Sequence, residues 1–162
     1  MTSDGRFPTV VGANLEGSSV RLPDQLGGRL NLLHIAFRQT QQADVDSWMP
    51  YAEALEARRP DVRAYELPVL STAYRIARPF IDGGMRAAIP DPAVRRRTIT
   101  LYLDKAAFRA ALGVPGEDRI HVRLVDRSGT THWRTEGAWD ATSAAALDAV
   151  LAEASCATEV RP

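Results

Sequence analysis

Cysteine is nearly absent from this chain: Cys156 is the only one. A single thiol excludes an internal disulfide, a Cys-only metal site and a Cys-x-x-Cys pair. Lysine is as scarce, with Lys105 alone. Schiff-base chemistry therefore has one candidate, and it reads as an ordinary residue at a helix start, since arginine does not act as a neutral amine near pH 7. An excess of one charge is missing too. Lys plus Arg and Asp plus Glu both number 20, so nothing pulls the chain toward nucleic acid or an anionic membrane. No stretch approaches the ~20 apolar residues of a membrane-spanning helix. The opening MTSDGRFPTVVGANL has neither a basic segment followed by an apolar one nor an Arg-rich presequence pattern, so the expected location is cytoplasmic. A G-x-S-x-G elbow and a P-loop are also lacking.

What is present is the balance of a folded protein. The chain has 162 residues, 45% hydrophobic and 25% charged, enough for one domain with a core of its own. The expected division is a tail at 1–6, a domain at 7–155 and a tail at 156–162. Residues 7–11 read as extended, and two short apolar segments around a Gly-Ser turn, within residues 12–23, predict a β-hairpin. Residues 30–37, LNLLHIAF, alternate too little for a half-exposed strand and fit a central strand covered on both faces. A polar turn follows, Arg38-Gln39-Thr40-Gln41-Gln42. From about Asp44, Val45, Trp48, Ala52 and Leu55 recur at helical spacing. Pro50 inside that pattern predicts either a kink or the true helix start.

Residues 62–70 predict a second strand, with Val62, Ala64 and Glu66 on one face and Pro68 closing it. Tyr74, Ala77, Ile81, Met85 and Ala88 have helical spacing, interrupted at Gly83-Gly84. Pro90-Asp91-Pro92 is a break. Residues 98–103 predict a third strand. Asp104 caps a helix from 105 to 112, which Gly113 ends. Residues 120–126 and 131–137 form a hairpin. Thr142 or Ser143 starts a last helix through Glu153, with Ala146, Leu147, Val150 and Leu151 facing inward.

A βαβ unit, a hairpin and a terminal helix make the thioredoxin layout. The predicted fold class is therefore α/β, a central mixed sheet flanked by helices, with the N-terminal hairpin and helical insertion that peroxiredoxin-like members add. Gly12-Ala13-Asn14-Leu15-Glu16-Gly17 with Val20-Arg21-Leu22-Pro23 resembles the opening of peroxiredoxin-like and thiol-reductase-like domains. Val125-Asp126-Arg127-Ser128-Gly129 resembles their penultimate-strand turn. The same turn, with Trp133-Arg134 and Glu136-Gly137, also resembles the mitochondrial ATP synthase assembly factor family (the tenth-numbered ATPase assembly protein). Phe37, Gln41, Ser47-Trp48 and the segment from Met85 to Pro90 resemble upstream parts of that family. The chain departs from it in the order Trp133-Arg134, where a basic residue more often precedes the tryptophan. The resemblance implies an assembly or chaperone role for a membrane complex and a protein partner.

Redox exchange needs a thiolate poised near a helix N-terminus. In a thioredoxin-like protein the turn at 38–42 would carry it, and here it holds no nucleophile. Where such proteins place a cis-proline, this chain has Ile120. The expectation is thus a redox-inactive module that binds a partner through Gln39, Thr40, Gln41, Gln42, Ile120 and Trp139, without a cofactor and without nucleic acid. The alternative is a cysteine-independent enzyme. A two-residue turn would set His132 beside Arg123, diagonal to His121. With Glu136 or Asp118 the two histidines could then ligate a metal. Against this, Arg123 between them repels a cation. His34 reads as a core histidine, and Arg95-Arg96-Arg97 as a solvated helix turn or a phosphate contact.

Overall fold

The computed structural model describes residues 6–72 and 78–159. Seven strands form one sheet: β1 (Val10–Asn14), β2 (Ser19–Leu22), β3 (Leu30–Ala36), β4 (Val62–Ser71), β5 (Ile99–Leu103), β6 (His121–Asp126) and β7 (Thr131–Glu136). Their spatial order is β2-β1-β5-β4-β3-β6-β7. The strands β3, β4 and β5 run parallel, and antiparallel partners continue the sheet on either side. The expected α/β layout, with its N-terminal hairpin, is what the chain adopts.

The central strand β3 is buried along almost its whole length, which is why its sequence shows no alternation. Its side chains divide between two cores. Leu33 and Ile35 meet Leu67, Val69, Leu101, Phe108 and Leu112 on one face. Leu30 and Leu32 meet α1 (Gln42–Arg58) and α5 (Ala141–Glu159) on the other, through Val45, Trp48, Ala52, Leu55, Leu147 and Leu151. Each large apolar side chain buried in this way contributes about 1.5–3 kcal/mol.

Pro50 lies inside α1 rather than at its start. The Asp46 carbonyl loses its usual donor there, but both residues are exposed, so water can replace it. Pro68 does not close β4, which runs on to Ser71. The β4–β5 pairing instead breaks around Pro68, between the bridge Glu66↔Thr98 and the ladder that resumes at Val69↔Leu101. A residue without an N–H fits at such a gap.

The insertion holds α2 (Arg78–Ala88) and α3 (Pro92–Arg97). Gly83 and Gly84 do not interrupt α2. Tyr74 and Ala77, expected on the same helix, lie outside the described residues. Asp91 caps α3 by accepting from the Ala93 amide at 2.9 Å. Asp104 caps α4 (Lys105–Leu112) through the Ala107 amide at 3.1 Å, and Gly113 ends it with φ 70°. The last helix is longer than expected, and Ala146 on it is exposed, whereas Ala144, Leu147 and Leu151 face the core. Cys156 falls within the span of α5, and its side chain lies outside the described part. Gly28 marks a close approach of backbone. A Cβ there would sit 2.4 Å from the Leu30 carbonyl oxygen and 2.9 Å from the Arg63 nitrogen. Among the described residues, no helix is long and apolar enough to cross a membrane.

Candidate binding site at the amino-terminal end of α1

The turn between β3 and α1 is a single 3-10 turn, Gln39–Gln41. The residues of this turn and Gln42, the first of α1, do not share one environment. Gln39, Thr40 and Gln42 are exposed, but Gln41 is only 6% exposed. Its side-chain oxygen accepts from the amides of Phe37 at 2.9 Å and Arg38 at 3.2 Å. Its side-chain nitrogen donates to the Glu117 carbonyl at 2.5 Å. Lys105 adds a second tie, donating to the Phe37 carbonyl at 2.7 Å and pairing with the Glu117 carboxylate at 3.3 Å. The turn is thereby fastened to the start of α4 and to the segment at 113–119. Arg38 and Asp118 pair at 3.4 Å on the surface, where such a contact contributes little.

These positions correct part of the expected contact surface. Gln41 holds the turn together from inside and cannot present its amide to a partner. Ile120 is wholly buried between α1 and α5, because it stands one residue before β6 and faces the apolar layer. Trp139 is 42% exposed. Its amide donates to the Ser47 hydroxyl at 2.9 Å, and the Trp48 indole donates to the Gly137 carbonyl at 3.1 Å. These bonds bring the loop carrying Trp139 to the first turns of α1.

A cleft adjoins the turn. Gln42, Asp46, Met49 and Glu53 project from one side of α1, as their spacing requires. They face Glu66 on β4, with Ile89, Val94, Arg97 and Thr98 from the insertion, around a cavity of about 230 Å³. Burial holds the Glu66 carboxyl above its ordinary range, and the charge of Asp46 adds to this. A hydrogen bond from Gln42 and the charge of Arg97 oppose it. Gln42 also bonds Asp46 at 2.8 Å, and Arg97 pairs with Glu56. The cleft has apolar walls and an acidic lip formed by Asp46, Glu53 and Glu66. Sequence reasoning set Glu66 on the same strand face as Val62 and Ala64, and a carboxylate on an inward face was the available signal. Asp46 gave none, and Arg97 stood out only as part of the Arg95-Arg96-Arg97 run.

No protein-family model matches the chain, and no curated protein matches it. Solved structures do. The thioredoxin domain of a thiol-disulfide oxidoreductase from Bacteroides vulgatus is 17% identical with a TM-score of 0.59, over 91% of this chain and 95% of that one. BsSco, a member of the Sco family of cytochrome c oxidase assembly proteins, is 15% identical with a TM-score of 0.62, over 91% and 92%. A thiol:disulfide interchange protein DsbE from Chlorobium tepidum is 16% identical with a TM-score of 0.57, over 95% and 98%. The fold is thioredoxin-like. At these identities the likeness carries the fold alone. It does not reach the ATP synthase assembly factor family.

The histidines of this thioredoxin-like domain are not brought together. The β6–β7 ladder sets His121 opposite Glu136 and Arg123 opposite Arg134, with an irregularity at Leu124/Val125. The turn is longer than two residues, so His132 lies closer to it than expected. Its ring bonds Asp126 at 2.9 Å, while His121 packs edge-on against Phe37. Among the described residues, no group of three or more His, Cys, Asp or Glu side chains could hold a metal. Ser128 donates to Asp126 rather than to a histidine, so this turn does not activate its hydroxyl. His34 is fully buried, donates from Nδ1 to the Tyr65 carbonyl at 3.1 Å and leaves Nε2 without a partner. Burial lowers its pKa to about 4. In the arginine run, Arg97 pairs with Glu56, and Arg95 bonds the Ile89 carbonyl and lies 3.7 Å from Glu16. Two of the three arginines thus serve the insertion itself.

Proposed function

We propose that this chain is a thioredoxin-like binding module without thiol redox function, which engages a protein partner at the amino-terminal end of α1. The observation that carries the reading is the Gln41 amide. It turns into the interior of the strand-to-helix turn that would carry an exchanging thiol, and it bonds in three directions. A thiol chemistry also needs a reactive sulfur, and the chain has only Cys156. What the turn leaves open is a polar edge, Gln39, Thr40 and Gln42, with Trp139 near the same helix end and the acidic-lipped cleft beside it. Exposed tryptophan is a favoured interface anchor. An assembly or chaperone role in the cytoplasm, for a subunit of a membrane complex, is the finer form of this reading. It rests on the resemblance to ATP synthase assembly factors and on the assembly role printed for the Sco relative.

The test is site-specific photo-crosslinking in cells from positions 40 and 139, with Val11 as an exposed control on β1. A defined protein partner captured from 40 and 139 but not from 11, and lost in the Trp139→Ala chain, is the expected result. Equal capture from all three positions would overturn the binding site. Turnover in a disulfide-reduction assay that Cys156→Ser abolishes would overturn the redox-inactive part.

A further inference from the structure

We propose that Arg123 and Arg134 form a binding site for an oxyanion, a phosphate or carboxylate group, on the face of the β6–β7 hairpin away from α1. The two residues stand directly opposite one another in the ladder. Like charges so placed repel across the strands, and the Arg134 charge is felt at Arg123. Arg123 is only 3% exposed. It donates to the Leu112 carbonyl at 2.7 Å, at the C-terminal end of α4, and its Nε is buried with no partner. An arginine taken out of water normally faces a carboxylate.

Here none pairs with it. Among the described residues, neither Arg123 nor Arg134 takes part in an ion pair. The hairpin carboxylates already have partners: Glu136 pairs with Arg119 at 3.3 Å, and Asp126 is hydrogen-bonded to the His132 ring at 2.9 Å. The hairpin has used its own carboxylates on either side and left two guanidinium groups in the middle. Arg134 is exposed, so an anion can reach its guanidinium from solvent. Planar guanidinium groups present paired N–H donors that suit the oxygens of carboxylate and phosphate. The net charge of zero concealed this local excess in the sequence.

The site is separate from the one at α1, and its test is separate too. Backbone and arginine side-chain NMR signals are followed while sodium phosphate, and in a second arm sodium acetate, replaces sodium chloride at constant ionic strength. Saturating shifts centred on Arg123 and Arg134, with a melting temperature that rises and levels off, are expected in at least one arm. The arm that saturates identifies the oxyanion class. Arg134→Gln should abolish the saturation. Arg134→Glu should melt higher than the parent in chloride, because it supplies the missing carboxylate, and should not respond to phosphate or acetate. Shifts that never saturate in either arm, or saturation that persists in Arg134→Gln, would overturn the proposal. Both variants change an exposed side chain, so loss of folding does not obscure the result.

Discussion

Gln41 and His34 are both polar and both buried on the same short stretch of chain, yet the fold uses them in opposite ways. Gln41 engages both ends of its amide. His34 bonds through one ring nitrogen and leaves the other without a partner under α1, beside Trp48. The difference follows from what each group can do. An amide carries a donor and an acceptor at every pH, so it can fasten a turn permanently. An imidazole can gain a proton and has nowhere to place the charge. One site is a lock, and the other is a weakness that depends on acidity.

The largest effect should come from breaking the lock. Gln41→Leu keeps the volume but leaves the buried Phe37 amide, the part-buried Arg38 amide and the Glu117 carbonyl without their partner. It should cost about 3–4 kcal/mol, read as a lower midpoint in urea denaturation. An unchanged midpoint would mean that water replaces the amide.

The next effect tests His34. Unfolded, the imidazole takes its proton near pH 6.5; folded, only near pH 4. Between these values the native state holds fewer protons than the unfolded one. Stability from this group is therefore full above about pH 6.5 and declines as pH falls, by about 3 kcal/mol once pH reaches 4. His34→Leu should flatten that decline in pH-dependent denaturation. Glu66 acts with the opposite sign. Its raised carboxyl pKa gives a contribution that is present in acid and lost as pH rises through the folded value. Glu66→Gln makes the His34 slope easier to isolate.

A smaller effect should come from Lys105→Met, which removes the second tie at the turn. A loss of about 1–2 kcal/mol is expected, and a double mutant with Gln41→Leu should show less than additive loss, since both ties hold the same turn. The smallest is Trp139→Ala. Its ring is outside the core, so the thermal midpoint should correspond to a change within about 0.5 kcal/mol. A large drop would place that ring among the structural contacts and remove it as an anchor.

Much of the fold was legible because its signals are local. The unbroken apolar run of β3, the Val45-Trp48-Ala52-Leu55 face and the Asp104 and Gly113 caps each follow from a few neighbouring residues. The site was less legible because it depends on distant partners. Nothing within Gln39-Thr40-Gln41-Gln42 marks which glutamine turns inward; that choice is made by the Glu117 carbonyl. Ile120 looked available because its place just before a strand says nothing of the layer it faces. The hairpin register went astray because Asp126 organises a longer turn, accepting from the amides of Ser128 and Thr130.

The position of β3 has a consequence for synthesis of the chain. Its two neighbours in the sheet are β4 and β6, and β6 is among the last strands to be made. At roughly 5–20 residues per second, the ribosome needs on the order of 5–20 s to pass from β3 to β6. During that interval the buried central strand of the sheet has an unpaired edge. Nascent chains paused before β6 should therefore be the species most prone to aggregate or to be held by a chaperone, and those that include β7 should escape.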